Sequence, residues 1–516
     1  MSTEHEKVDL THTDHAQDLA YSEAGDKQGV VSDTLAAQYV DESVVISPEE
    51  NKRLKWKIYT RVLPVMCVCY ITQSLDKGAL GATSIMGWRE TVHAVGQDYA
   101  LTSTIFYCGI IVGEPLVNQF IRRAPVAKIL AFSMFGWSAL MFGLTFALDI
   151  KAVFAIRFLL GLLESSFNPC LLAITVQWFL IEEQVKIVTI WQLQFVLAGI
   201  ITNLLSYGFY HLHGAELTRD HGLYAWQWLV LCLSFISTIA SAIVLIWLPD
   251  SPPQARWATP EEKVKFVERV RKNDQGIKQK VWKSEQAWEA AKDPLVYLLL
   301  GMMLLQTLVV GGLNTFNSLL INKAFGFTVL NSQLLSCALA GFQGILYILI
   351  GFLITKTNQT VYCQIAYTLV NIAMTVVLIV VKPSDKTKGG LLFAFYAAQC
   401  FQSLSPSIWS MCSRNIAGQT KKSIVYAAFF IAWATGNAVG PQFFQSAWAP
   451  RYLNSLYIHI GCYILFIADI LAIRMLCVSR NKKRDRALEA TNTENHHHLA
   501  FADRTDLENP EFRYSY

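Results

Sequence analysis

A hydrocarbon core about 30 Å thick is crossed by roughly 20 apolar residues in a helix, and that requirement constrains this chain more than any other feature. Runs of that length lie near 60–82, 101–121, 128–148, 152–173, 187–211 and 225–248, and six more near 295–320, 332–355, 361–382, 390–412, 423–447 and 455–476. With 53% apolar and only 16% charged residues, 516 residues in water would carry far too much apolar surface. The expected fold class is an all-α membrane protein of twelve transmembrane helices. The long polar interruption at 249–294 divides the spans six and six, the layout of two parallel, pseudo-symmetric halves. The expected organisation is a largely disordered tail (1–57), a six-helix bundle (58–248), a central loop (249–294), a second bundle (295–478) and a second tail (479–516).

The polar, acidic leader lacks the apolar core and small-residue cleavage site of a removable signal peptide, so the first span is expected to direct insertion. Within it, Ser47-Pro48-Glu49-Glu50 places a cap, a first-turn proline and a returning Glu where a helix starts, and Thr259-Pro260-Glu261-Glu262 repeats the signal. Basic residues set the orientation. Lys52, Arg53, Lys55, Lys57 and Arg61 precede the first span, Arg122, Arg123 and Lys128 follow the second, and Arg480, Lys482, Lys483 and Arg484 follow the last. Both termini are therefore expected in the cytosol, with the plasma membrane the expected location; the loop with Lys382, Lys386 and Lys388 is a single violation.

Charge inside the spans carries the functional argument, because an unpaired charge near the bilayer centre costs at least about 2.5–3.5 kcal/mol. Asp76 and Lys77 lie in span 1, Glu114 in span 2, Arg157 and Glu164 in span 4, and Asp469 in span 12. Span 1 runs outward and span 4 inward, so Asp76 and Arg157 are expected at similar depth as partners. A purely structural clamp between the helices is the plain alternative. Arg157 and Glu164, seven residues apart, share one face about 10.5 Å apart. Glu164 then falls near the midplane with no obvious cation one turn away, the position of a proton carrier. Asp469 is expected to reach the interface or meet Arg474. The second half carries neutral amides instead, among them Asn314, Asn317, Gln343, Asn371, Gln399, Gln402 and Asn437. For most of these, bonding between helices is the plainer reading. Asn437 differs, since Gly436-Asn437-Ala438-Val439-Gly440-Pro441 is expected to loosen span 11 and present backbone and amide to a ligand. The 11 cysteines show no metal-binding spacing and read as packing residues, and His496, His497 and His498 as a solvated run.

Several stretches, in order, resemble the anion:cation symporters of the major facilitator superfamily, in particular their fungal allantoate-permease-like branch. Leu75-Asp76-Lys77 looks like the first-span acid–base pair, and Arg157-Phe158-Leu159-Leu160-Gly161-Leu162-Leu163-Glu164 with Pro169 is similar to the fourth-span signature. Leu248-Pro249-Asp250-Ser251-Pro252, Thr420-Lys421-Lys422, Gly440-Pro441-Gln442 and Pro450-Arg451-Tyr452 continue the likeness. The resemblance implies the major facilitator fold, with Asp76 and Glu164 handling protons and Lys77 and Arg157 serving the substrate anion and an ion-pair switch. Tyr107, Gln194 and Asn437 complete the residues assigned to substrate binding or gating. Lys77 stands where bacterial relatives often have Arg, a point charge in place of a bidentate fork.

The resulting expectation is a proton-coupled symporter, a functional monomer importing a small organic anion such as a ureido acid, carboxylate vitamin or dipeptide by alternating access. No cofactor is called for beyond the proton gradient, and no nucleic-acid partner. Export of a fungal metabolite by proton antiport is the alternative, disfavoured because span 5 has Gly199 and Gly208 but no Gly-Pro ending. A non-transporting sensor is disfavoured because sensors usually add a long signalling tail and this C-terminal tail is short, and an enzyme because the spans show no nucleotide loop or metal-ligand cluster. Asn358-Gln359-Thr360, the N-x-[ST] acceptor in the loop between spans 8 and 9, is predicted to face the cytosol and to stay unmodified. Endoglycosidase treatment of protein from a glycosylating host should leave its mobility unchanged; a shift lost in Asn358→Gln would mean the span count is wrong.

Overall fold

A computed structural model describes residues 46–121, 124–213, 219–220, 222–271, 282–491 and 504–516. Arg122, Arg123, the histidine run and most of the leader lie outside these residues. The described chain is helical apart from a two-residue hairpin pairing Arg219–Asp220 with Leu223–Tyr224. Among the described residues, eleven helices are long and apolar enough to cross a membrane. The first six spans are Leu63–Ser84, Asp98–Ile121, Val126–Phe146, the pair Ile150–Glu164 and Phe167–Trp178, Ile181–His213 and Ala225–Trp247. The second six begin with Pro294–Leu319, Val329–Thr357 and Thr360–Val380 and end with Gln419–Val439 and Leu453–Thr491. Between them, span 10 is the interrupted twelfth: Lys388–Ala397, a 3-10 stretch Ala398–Leu404, then Ser405–Asn415.

The interruptions follow from proline, which has no N–H for the carbonyl four residues back. In span 10 Pro406 offers no N–H to the Gln402 carbonyl, which accepts instead from the Ser405 N–H and from the Tyr347 hydroxyl at 3.2 Å. In span 4 the α-helix closes at Glu164 and restarts at Phe167, just ahead of Pro169, so Glu164 sits at the end of a half-helix. Span 11 stays α-helical through Val439 and tightens to 3-10 only over Gly440–Phe443, beyond Asn437 and not at it. Spans 5 and 12 overrun their apolar runs, because the hydrophobic ruler measures only the lipid crossing while the helix continues into water.

Helices approach closely where a side chain is missing. A Cβ on Gly161 would stand 1.9 Å from the Phe106 carbonyl, and one on Gly440 would stand 2.3 Å from the Leu308 carbonyl. Spans 4 and 2, and spans 11 and 7, therefore cross backbone to backbone. The two start signals behave as read: Ser47 Oγ accepts from the Glu50 N–H at 3.2 Å ahead of helix Pro48–Arg61, and Thr259 and Glu262 form a reciprocal box ahead of Pro260–Arg271.

Charged clusters organise the end of the molecule that carries Pro48–Arg61, here the proximal end. In the first half Arg269, from the central loop, forks onto Glu183 at 2.7 and 2.8 Å, and Lys57 meets Glu262 at 2.5 Å. In the second half Lys421, fully buried, is held by Glu289 at 2.8 Å, Asp293 at 2.9 Å and Asp506 at 2.7 Å. Arg480 adds a 2.6 Å contact to Asp293, and the Tyr514 hydroxyl donates to Asp506 at 2.7 Å. Asp506 and Tyr514 belong to the C-terminal tail, which is thus docked on spans 11 and 12. Burial opposes ionisation of Asp293, but hydrogen bonds from Arg480 and Lys421 outweigh it and hold the carboxyl below its usual range. That stabilisation is complete above the unfolded carboxyl value and is lost as pH falls through the depressed folded one. Asp506→Asn should weaken the cluster by about 1.5–3 kcal/mol, the usual worth of a hydrogen bond to a charged group. The thermal midpoint of the purified protein should fall, whereas Leu507→Ser in the same segment should leave it unchanged; an unchanged midpoint for Asp506→Asn would mean the tail is not docked.

Candidate functional site

Four of the charged side chains singled out in the spans converge between spans 1 and 4. Asp76 and Arg157 are both buried, with Arg157 Nη1 3.6 Å from Asp76 Oδ2. The pair is coulombic rather than hydrogen-bonded, since neither Asp76 oxygen nor Arg157 Nε has a protein hydrogen-bond partner. The Trp137 indole of span 3 is a further neighbour of that carboxyl group, outside hydrogen-bond geometry.

The second contact corrects the sequence reading, which left Glu164 without a cation. Lys77 Nζ lies 2.6 Å from Glu164 Oε1, and the Gln73 amide donates to the same oxygen at 2.9 Å. Helical side chains lean toward the N-terminus, so Lys77 reaches back over Gln73, one turn earlier on the same face. The Lys side chain spans what residue spacing alone left as a gap. Gln73 was not singled out from sequence; its i, i+4 relation to Lys77 was the available signal. The other Glu164 oxygen has no hydrogen bond.

Lys77 is also one of the points where the halves meet. Its ammonium lies 5.9 Å from the ring centre of Trp433 in span 11, within cation–π range. Tyr107 of span 2 packs edge-to-face on Trp433 at 5.7 Å, and its hydroxyl, like that of Tyr70, is within electrostatic reach of Lys77. The Gly161 crossing against Phe106 is what brings Tyr107 to this level. Trp433, from the other half of the chain, was absent from the sequence-derived set.

The remaining residues separate from this cluster. Asn437 is buried and donates to the Trp433 carbonyl at 2.8 Å, and Gln194 donates to the Ile190 carbonyl at 3.1 Å, so both amides bond within their own helices. Arg474 does not meet Asp469; its guanidinium stacks over Tyr362 at 4.5 Å and Tyr516 at 4.9 Å. Distal to the charges the halves are joined directly. Tyr99 donates to the Thr315 carbonyl at 2.5 Å, Thr104 to the Ala438 carbonyl at 2.6 Å, and Gln442 to Thr104 at 2.8 Å.

The chain is similar to known transporters. The allantoate permease of Saccharomyces cerevisiae is 29% identical over 92% of this chain and 88% of its own length. An uncharacterised transporter of Schizosaccharomyces pombe is 28% identical over 95% of this chain and 92% of its own. Among solved structures, a bacterial homologue of the human lysosomal transporter Spinster, in an inward-facing and occupied conformation, superposes with a TM-score of 0.61. It covers 80% of this chain and 96% of the other at 14% identity, a likeness of fold alone.

Removing one member of a buried ion pair strands the other, at about 3–5 kcal/mol. Asp76→Asn and Arg157→Gln singly should each reduce transport and the yield of monodisperse protein, while the double change should cost less than the sum of the two. Two single variants indistinguishable from wild type would dissolve the pair. With twelve spans in two halves, a match over residues 66–441 and transporters as relatives, the chain is a multi-pass membrane transporter that belongs to the Major Facilitator Superfamily.

Proposed function

We propose that the protein is a proton-coupled symporter that imports a small organic anion across the plasma membrane, both termini lying in the cytosol. The observation that carries this reading is the 2.6 Å contact between Lys77 and Glu164 beside the junction of the halves. In the empty site two cations and two carboxylates balance. An arriving substrate carboxylate competes with Glu164 for the Lys77 ammonium, and adds one negative charge to a low-dielectric site. Uptake of one proton by Glu164 restores balance, which couples the two movements. The Asp76–Arg157 contact, unsupported by hydrogen bonds, is the pair best suited to separate and re-form as the halves rock.

Proximal clusters assigned to one half each, with direct bonds joining the halves distally, support a cavity open toward the cytosol in this conformation. Tyr107 is the neutral residue best placed to touch substrate. Asn437 and Gln194 would have to exchange their helix-internal bonds to do so. The organic-anion class draws support from the likeness to an allantoate permease.

Glu164→Gln keeps the shape and hydrogen bonding of the protonated carboxyl but cannot titrate. In proteoliposomes preloaded with substrate and given an acid-outside gradient, the variant should lose accumulation and retain substrate exchange. Full gradient-driven accumulation by Glu164→Gln would assign the proton elsewhere, with Asp76 next in line.

A further inference from the structure

The second half meets Lys77 with aromatic faces, while several of its buried amides are already occupied. Gln343 donates to Gln402 Oε1 at 3.2 Å, Asn371 to the Tyr367 carbonyl at 2.8 Å, and Asn437 to the Trp433 carbonyl. Other polar atoms of this half, among them Asn317 Oδ1, Asn371 Oδ1, Gln399 Nε2 and both amide atoms of Gln333, have no hydrogen bond, but the group that meets Lys77 from this half is the Trp433 ring. Around the ammonium, by contrast, stand two groups of packed rings. Trp433 packs on Tyr107 at 5.7 Å and on Phe430 at 5.1 Å, and Tyr70, beside Lys77, packs on Trp191 at 5.0 Å. Tyr70, Tyr107, Phe430 and Trp433 are each only partly buried, as residues bordering a cavity would be.

Building on the organic-anion reading above, we propose that Trp433 sets the substrate class, selecting carboxylates with a flat, unsaturated body over polyhydroxylated ones. In the empty site the electron-rich ring face is satisfied by the Lys77 ammonium. Once a substrate carboxylate draws that ammonium away, the face has no cation. It repels a second anionic group but accepts an offset-stacked planar body. A polyhydroxylated acid of the same charge would bring hydroxyls against rings that cannot pair with them, and each unpaired hydroxyl counts against binding. Trp433 also ties selectivity to movement, because it belongs to the half opposite Lys77. A flat body lodged between them touches both halves at once.

The test uses the purified full-length protein and two monocarboxylates, benzoate and gluconate, titrated against its thermal midpoint. The wild-type protein should bind benzoate at least about tenfold more tightly than gluconate, the equivalent of one stacked contact. Trp433→Leu should erase the preference, Trp433→Phe should keep it, and Lys77→Gln should lose both ligands. The wild-type ratio alone decides the matter if Trp433→Leu does not fold. Equal binding of the two acids by wild type, or a preference that survives Trp433→Leu, would overturn the role of Trp433 and leave the organic-anion reading standing. Failure of wild type to bind either acid would overturn the organic-anion reading and this inference with it.

Discussion

Charge placed in a medium that cannot solvate it is the constraint from which the rest of this structure follows. Asp76, Lys77, Arg157 and Glu164 would each be costly in lipid if alone, and surface ion pairs, worth about 0–1 kcal/mol, give no guide to their importance. Here pairing is what allows spans 1 and 4 to exist as membrane helices. The two contacts nevertheless differ in kind. Lys77 and Glu164 are close, and Gln73 donates to the same Glu164 oxygen, whereas Asp76 and Arg157 stand 3.6 Å apart with no hydrogen bond between them. A tight contact beside a loose one on the same two helices is what a site needs if one pair holds ligand and the other changes partners.

Polar chemistry elsewhere is divided by its place along the bundle. Proximally, Arg269 with Glu183 and Lys421 with three carboxylates staple helices inside one half, using the central loop and the C-terminal tail as struts. Each half is thereby cross-linked within itself. Distally the bonds run between halves: the Tyr99 and Thr104 hydroxyls donate to the Thr315 and Ala438 carbonyls, and the Gln442 amide donates to the Thr104 hydroxyl. Such neutral bonds contribute about 0.5–1.5 kcal/mol each, so they are easier to exchange than the buried charge clusters.

Helix breaks supply acceptors for two of the polar bonds between helices. The Gln402 carbonyl, four residues before Pro406, turns to Tyr347, and the Ala438 carbonyl, two residues ahead of the 3-10 turn, turns to the opposite half. Interruptions that weaken a helix in isolation therefore become attachment points once neighbours are in place.

Apolar run length and the residue types of spans 1 and 4 were enough to give twelve helices in two halves, the start signals at Ser47 and Thr259, and the pairing of Asp76 with Arg157. Those features rest on local chemistry: a lipid crossing needs a set length, a cap needs a hydroxyl, and a buried charge needs an opposite one. The cation for Glu164 was not legible, because a flexible Lys side chain can cover a distance that residue spacing cannot express. Nor was Trp433, since the rotation of span 11 about its axis depends on Gly436 and Gly440 packing against span 7. Asn437 turned inward to its own helix for the same reason. Which faces of twelve helices meet is set by close packing between segments hundreds of residues apart, and only the tertiary structure decides it.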